Sequence, residues 1–130
     1  MDITVYGSTG TSTRKSKRWF LEHDIPFKYR DIEKKPLTKS EMQKILRLTE
    51  EGTKDIIATR SHVYKNLDID LDSIPLNQLF KLVYQFPKLL RQPIIVGDNK
   101  LQVGFDEYNI RQFIPRDERK KLLNHSLAFS

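Results

Sequence analysis

Residues 3–32, ITVYGSTGTSTRKSKRWFLEHDIPFKYRDI, contain the pattern that decides the fold. Residues 3–6 are β-prone, and residues 7–13 form a small, polar loop. Residues 14–21 then carry Trp and Phe at helical spacing among basic side chains, and Asp24-Ile25-Pro26 ends that helical pattern. The segment opens with a predicted strand, loop and helix.

A second strand is predicted directly after this helix. Phe27, Tyr29 and Ile32 alternate with polar residues, as in a half-buried strand. Because a helix joins the two strands, they can pair in parallel as a βαβ unit. Ser12 or Thr13 is predicted to cap the helix. The first 32 residues therefore indicate an α/β fold.

The middle of the chain has helical patterns. Thr38 and Glu41 have the spacing of a capping box, and the apolar stripe that follows them stops near Gly52, where glycine suits a helix C-cap. Apolar positions are less regular over residues 53–75, and helical spacing resumes over residues 76–86. These patterns predict a helical insert at about residues 37–90.

Residues 93–104 predict a β-hairpin. Two apolar strands, at 93–96 and 101–104, flank a turn signal. Asp106 can cap a final amphipathic helix, which Pro115 separates from a basic segment. The expected organisation is one domain over residues 1–116, with a basic and mobile C-terminal tail at 117–130.

Composition excludes several classes of function. The 130 residues include no cysteine, so thiol nucleophiles, disulfides and thiolate metal sites are excluded, and the three histidines are scattered. We expect no metal and no cofactor. No apolar run approaches the ~20 residues that a bilayer requires, so no membrane partner and a cytoplasmic location are expected. The net charge of +6 favours an acidic partner such as nucleic acid, although this signal is weak by itself.

Several segments carry a family resemblance. They are Arg14-Lys15, Ile25-Pro26-Phe27, Ile45-Leu46, TEEGT at 49–53, DIIATRS at 55–61, LLRQPII at 89–95 and LQVGF at 101–105. On these residues the chain resembles the Spx regulators of Gram-positive bacteria, within the arsenate-reductase-like (ArsC) family, over about residues 3–116. The resemblance implies a thioredoxin-like α/β domain. Its mixed sheet would have about four strands, with helices on both faces and a helical insert.

The chain departs from this family at its redox loop. Family members typically carry Cys-x-x-Cys there, and Gly10 and Thr13 occupy the two cysteine positions in this sequence. Spx proteins also tend to have a second arginine before the proline, where this chain has Gln92 after Arg91. A threonine hydroxyl without an adjacent base is a poor nucleophile, so we expect no enzyme activity and no thiol switch. The resemblance also implies a cis bond before Pro93.

The resemblance further implies a partner. Gly52 lies where Spx proteins contact the C-terminal domain of the RNA polymerase α subunit, and Arg47 is expected near the same face. Arg60 and Lys65 are candidates for phosphate contacts with promoter DNA inside that complex, although a merely solvated face explains them equally well. Arg14 and Arg91 are candidates for an anion site beside the loop, for which a purely structural role is the alternative. The tail is a candidate for recognition by a protease or its adaptor.

The leading interpretation is an Spx-like transcription regulator that binds the polymerase α subunit and is insensitive to redox. One alternative is an arsenate-reductase-like or glutathione-dependent enzyme homologue that lacks its own nucleophile. Another is a non-catalytic binding module that competes with cysteine-bearing paralogues.

Overall fold

A four-stranded mixed sheet forms the centre of the protein. The structure is a computed structural model, and it describes residues 2–115. The strands are β1 (Ile3–Gly7), β2 (Lys28–Asp31), β3 (Ile94–Gly97) and β4 (Lys100–Val103), in the order β2-β1-β3-β4. β1 pairs in parallel with β2 and antiparallel with β3, and β3 pairs antiparallel with β4. The predicted βαβ unit and hairpin are both confirmed.

Helix α1 (Thr11–Glu22) joins β1 to β2. Its N-cap is Gly10, whose backbone is extended and which makes no side-chain capping bond. The prediction that Ser12 or Thr13 caps this helix is wrong, because both lie inside its first turn. There the Ser12 carbonyl accepts a bond from the Ser16 hydroxyl. The predicted end is confirmed, since the helix stops at Glu22 and Asp24 adopts a positive φ of 53°.

Helix α2 (Lys39–Arg47) begins with the predicted capping box. The Thr38 hydroxyl accepts from the Glu41 amide at 3.1 Å, and the Glu41 carboxylate accepts from the Thr38 amide at 2.9 Å. The expectation that Gly52 caps the end of this helix is wrong. The C-cap is Leu48, and Gly52 instead begins a 3-10 turn, Gly52–Asp55, here called the Gly52 turn.

The remaining elements between β2 and β3 are helical. They are α3 (His62–Leu67), α4 (Leu76–Gln85) and a 3-10 helix at Pro87–Leu89. An isolated antiparallel bridge pairs Ile57 with Leu90. This bridge joins the segment after the Gly52 turn to the segment that leads into β3.

The last described element is a 3-10 helix, Asn109–Phe113, rather than an α-helix. The prediction that Asp106 caps this helix is wrong, since the N-cap is Tyr108 and has no side-chain capping bond. The Asp106 carboxylate instead accepts from the amides of Tyr108 and Asn109, both at 2.9 Å, in the turn where the helix begins. The basic segment 116–121 and the rest of the predicted tail lie outside the described residues.

The core is divided between the two faces of the sheet. On one face Val5 and Ile95 pack with Phe20 of α1 and Phe113 of the last 3-10 helix. On the other face a second cluster joins Ile94 and Val96 to apolar residues of the helical insert, among them Met42, Ile45, Leu79 and Val83. Side chains alternate across a strand, so neighbouring residues of β3 contribute to opposite clusters. Helices therefore cover both faces, and among residues 2–115 none is long and apolar enough to cross a membrane.

Candidate functional site

The loop between β1 and α1 has the geometry of a helix N-terminus without reactive side chains. A Cβ atom added at Gly10 would meet no atom within 4 Å, so this position has room for a side chain. Thr13 is 3% exposed, and its Oγ1 lies only 2.8 Å from the point where a Cβ on Gly7 would stand. The loop therefore needs glycine at position 7 in order to accommodate Thr13.

Gln92 ties this loop to the segment before β3. Its Oε1 accepts from the Ser8 amide at 2.8 Å and from the Ser8 hydroxyl at 2.7 Å. Its Nε2 donates to the Pro87 carbonyl at 3.3 Å. The Gln92–Pro93 peptide bond is cis, as the family resemblance led us to expect. Gln92 thus joins three backbone segments at the place where the family resemblance implies an arginine.

A depression of about 470 Å³ opens beside the loop and is lined by Gly10, Thr13, Arg14, Lys17 and Tyr29, among others. The Lys17 ammonium lies 3.8 Å from the centre of the Tyr29 ring, a cation–π geometry. Burial raises the pKa of the Tyr29 hydroxyl, and the carboxylates of Asp31 and Glu33 raise it further. Arg14 lines this depression.

Arg91 does not line the depression that contains Arg14. It lies instead with Lys54 and Arg60 around a second depression of about 420 Å³. An anion site shared by Arg14 and Arg91 therefore finds no support in this geometry. We call the group of Lys54, Arg60 and Arg91 the cationic cluster.

Backbone contacts position the cationic cluster. The Arg91 amide donates to the Ile56 carbonyl at 2.7 Å, and its guanidinium donates to the Asp55 carbonyl at 3.2 Å. The carbonyl of Leu89 accepts from the amide of Ala58 at 2.7 Å. The sequence analysis assigned Arg60 and Lys65 to the same role, contact with DNA phosphates. Lys65 lies on α3 and does not line the depression that contains Arg60. No local pattern could have grouped Lys54 with Arg91, because the Ile57–Leu90 bridge brings them together.

The Gly52 turn adjoins the cationic cluster through Asp55 and Lys54. Gly52 has a φ of +73°, a conformation that L side chains rarely adopt, and a Cβ added there would meet nothing within 4 Å. The Asp55 carboxylate accepts from the amides of Glu50 and Glu51, both at 3.0 Å. These two bonds hold the turn together, and the space beside the half-buried Gly52 backbone is open. Arg47 is the last residue of α2 and is exposed.

Glu41 fixes the start of α2 onto the sheet. Its carboxylate receives two bonds from the Arg30 guanidinium of β2, at 2.8 and 2.9 Å, and one from the Tyr6 hydroxyl of β1 at 3.4 Å. Burial acts to raise the pKa of Glu41, but the bonds from Arg30 and from the Thr38 amide outweigh it and lower that pKa. Burial, followed by the Glu41 charge, raises the pKa of Tyr6.

This architecture and these loops match a known family. The ArsC family profile matches residues 6–113. The chain belongs to the ArsC family.

Within the ArsC family the chain is similar to Spx regulators. It is 51% identical to the global transcriptional regulator Spx of Listeria innocua, over 90% of each chain. It is 46% identical to the global transcriptional regulator Spx 2 of Oceanobacillus iheyensis, over 94% of this chain and 90% of that protein. The prediction that the chain is an Spx-type member of this family without the Cys-x-x-Cys motif is confirmed.

Solved structures of ArsC relatives share the fold. A putative ArsC family related protein from Bacteroides fragilis superposes with a TM-score of 0.75 at 22% identity, covering 87% of this chain and 98% of that one. An arsenate reductase from Vibrio cholerae gives 0.69 at 17% identity, covering 88% and 96%. At these identities the likeness shows the fold alone. The relatives that are close in sequence are named transcriptional regulators, whereas the structural neighbours include reductases.

Proposed function

We propose that this protein is a transcription regulator of Spx type that binds the C-terminal domain of the RNA polymerase α subunit through the Gly52 turn. The observation that carries the proposal is the open outer surface of Gly52 at φ +73°, in a chain about half identical to Spx regulators. Glycine leaves room for a partner's side chains to approach the backbone closely. We assign Arg47 to the rim of the same surface, and the protein would act in the cytoplasm beside the polymerase.

The cationic cluster supports a second contact in the same complex. Lys54, Arg60 and Arg91 place three positive charges around one depression, and Lys54 belongs to the Gly52 turn itself. Lys54 also lies 3.9 Å from the Asp72 carboxylate, an exposed ion pair. Lys and Arg side chains neutralise backbone phosphates without reading base sequence. We therefore assign to this cluster a contact with promoter DNA that forms only while the α domain holds the protein there.

The proposed activity does not depend on thiol oxidation. The chain has no cysteine, and the family resemblance implies that Gly10 and Thr13 stand at the two redox positions. A reductase mechanism would need a nucleophile supplied from outside the chain. Abundance of the protein would then set its effect, and proteolysis through the C-terminal tail is the control we propose.

Calorimetric titration with the purified α C-terminal domain tests the interface. Wild type is expected to bind, and Gly52→Arg is expected to weaken binding at least about tenfold because the guanidinium fills the contact surface. The matched control is Gly104→Arg. Gly104 also has a positive φ, of 81°, and open space around a Cβ.

Gly52→Asn separates backbone strain from added bulk, because asparagine tolerates positive φ and is much smaller than arginine. It should lose less binding than Gly52→Arg. Equal binding by wild type and Gly52→Arg, or an equal loss in Gly104→Arg, contradicts the proposed interface.

A further inference from the structure

An open groove between α2 and α4 is lined by apolar side chains. Its apolar lining consists of Leu37, Met42 and Phe80, which are almost fully buried and form its floor, and of Tyr84, and the groove holds about 430 Å³. Tyr84 is 61% exposed although it lies beside buried residues. Phe80 and Tyr84 are four residues apart on α4, so they face the same side, and Leu76, 46% exposed, continues this row by one turn.

Positive charge flanks this groove. Lys39 of α2 and Lys81 of α4 both line it and are exposed. The residues that line it include no carboxylate, and α4 contains no acidic residue. The only acidic residue of α2 is Glu41, whose charge is already engaged by Arg30. Both charged side chains that line the groove are therefore positive.

We propose that this groove binds an acidic amphipathic helix of a partner protein. The apolar face of that helix would pack on the exposed ring of Tyr84, and its carboxylates would meet Lys39 and Lys81. An amphipathic helix that lies in an apolar groove is a common mode of peptide recognition, and complementary charge gives it orientation and specificity.

Charge disfavours the other occupants. A second copy of this chain carries +6 itself and would bring its own lysines towards this groove. Nucleic acid is better matched by the cationic cluster, where three cations surround one depression, than by a groove with four apolar side chains and two lysines at its sides.

The groove is also separate from the proposed polymerase contact. Lys39 begins α2, and the Gly52 turn follows the other end of that helix, which is about 13 Å long at ~1.5 Å per residue. The proposal therefore stands independently of the function proposed for the Gly52 turn.

Fluorescence anisotropy with the full chain tests the proposal. The probe is a fluorescein-labelled synthetic helical peptide with Leu and Phe on one face and Glu on the other, and its partner probe has Lys in place of each Glu. We expect the acidic peptide to bind about tenfold or more tightly than the basic one. We expect Lys39→Glu/Lys81→Glu to weaken its binding about tenfold or more, since two attractive charge pairs become repulsive.

Two matched controls accompany this test. Lys44→Glu reverses an exposed charge on α2 that does not line the groove, and it should change the affinity less than about twofold. Tyr84→Ala should weaken binding about fivefold, while Tyr108→Ala removes an even more exposed ring elsewhere, 77% against 61%, and should leave binding unchanged.

Three outcomes overturn the proposal. One is equal affinity for the acidic and basic peptides, and another is a Lys44→Glu effect as large as that of the double variant. The third is a different occupant of the groove. This would be shown by single-stranded DNA that binds more tightly than the acidic peptide, or by self-association of the protein, provided that the Lys39→Glu/Lys81→Glu variant loses that binding or that self-association.

Discussion

The Gln92 side-chain oxygen accepts two hydrogen bonds from Ser8, one from its amide at 2.8 Å and one from its hydroxyl at 2.7 Å. The two residues are 84 positions apart, so this contact joins the β1–α1 loop to the segment before β3. Arginine carries only donors and could accept neither bond. Glutamine at position 92 is therefore matched to a loop that presents two donors.

Gln92→Ala should lower the free energy of unfolding by about 1–3 kcal/mol, because it leaves the Ser8 amide and hydroxyl without this acceptor. Ser8 is only 6% exposed, so water replaces the lost bonds poorly. Urea denaturation followed by circular dichroism measures the change. Gln78→Ala, at an exposed position of α4, is the control and should change stability by less than about 0.5 kcal/mol. An unchanged midpoint for Gln92→Ala contradicts a structural role for this contact.

Gly10→Cys should produce a thiol of unusually low pKa. Position 10 is the N-cap of α1, it has room for a side chain, and its extended backbone suits any residue. A helix N-terminus stabilises a thiolate. The wild type has no cysteine, so the pH dependence of alkylation reports only the introduced group.

The control for this thiol is Gln85→Cys, at the exposed last residue of α4, where the helix dipole has the opposite sign. Gly10→Cys should be alkylated faster at pH 7, with its midpoint at a lower pH. Identical pH profiles for the two variants would show that the loop does not activate a thiol.

Glu41→Gln should reduce stability by about 1–2 kcal/mol at pH 7, because it removes the charge that Arg30 and the capping box engage. The pKa of Glu41 is lowered in the folded protein, so its contribution is present above the unfolded-state pKa and is lost as pH falls through the folded-state value. The difference between wild type and variant should therefore narrow below about pH 4. Denaturant titrations at neutral and acid pH check this, with Glu107→Gln, at an exposed loop, as the control. A constant difference across this range would contradict the assigned role of the carboxylate.

If the proposed function is correct, Arg60→Gln should weaken promoter binding more than Lys65→Gln does. Arg60 belongs to the cationic cluster, whereas Lys65 does not. In gel-shift titrations of the protein together with the polymerase, Arg60→Gln should weaken binding equally across promoter sequences and lessen its salt dependence. Lys65→Gln should have the smaller effect. The reverse ranking would place the phosphate contact on α3 and not in the cluster.

The sequence predicted elements that depend on short-range patterns. The Thr38–Glu41 capping box is formed by residues three positions apart, and the hairpin strands are joined by only two residues, Asp98 and Asn99. Such signals lie in neighbouring residues, so one sequence is enough to read them. The same holds for the end of α1 near Asp24.

Features that depend on tertiary contacts could not be predicted in this way. The N-cap of α1 is Gly10, although serine and threonine are better capping residues than glycine. Thr13 instead lies inside the helix, where its side chain is buried against Gly7. Arg91 was expected near Arg14, but its backbone bond to Ile56 directs it to the cationic cluster. Contacts across 35 residues leave no periodic signal in the chain.

Arg91 and Gln92 are adjacent in sequence, but their side chains bond to different parts of the protein. Arg91 donates to Asp55 of the Gly52 turn, and Gln92 accepts from Ser8 of the β1–α1 loop. In evolution, a mutation in the codon of one of these residues can therefore change its contact without changing the contact of the other. A glutamine codon becomes an arginine codon by one base change, and that change removes the acceptor that Ser8 uses, whereas the Arg91 bonds to Ile56 and Asp55 do not involve the Gln92 side chain. The loop contact and the contact with the Gly52 turn are therefore independent of each other, although adjacent residues make them.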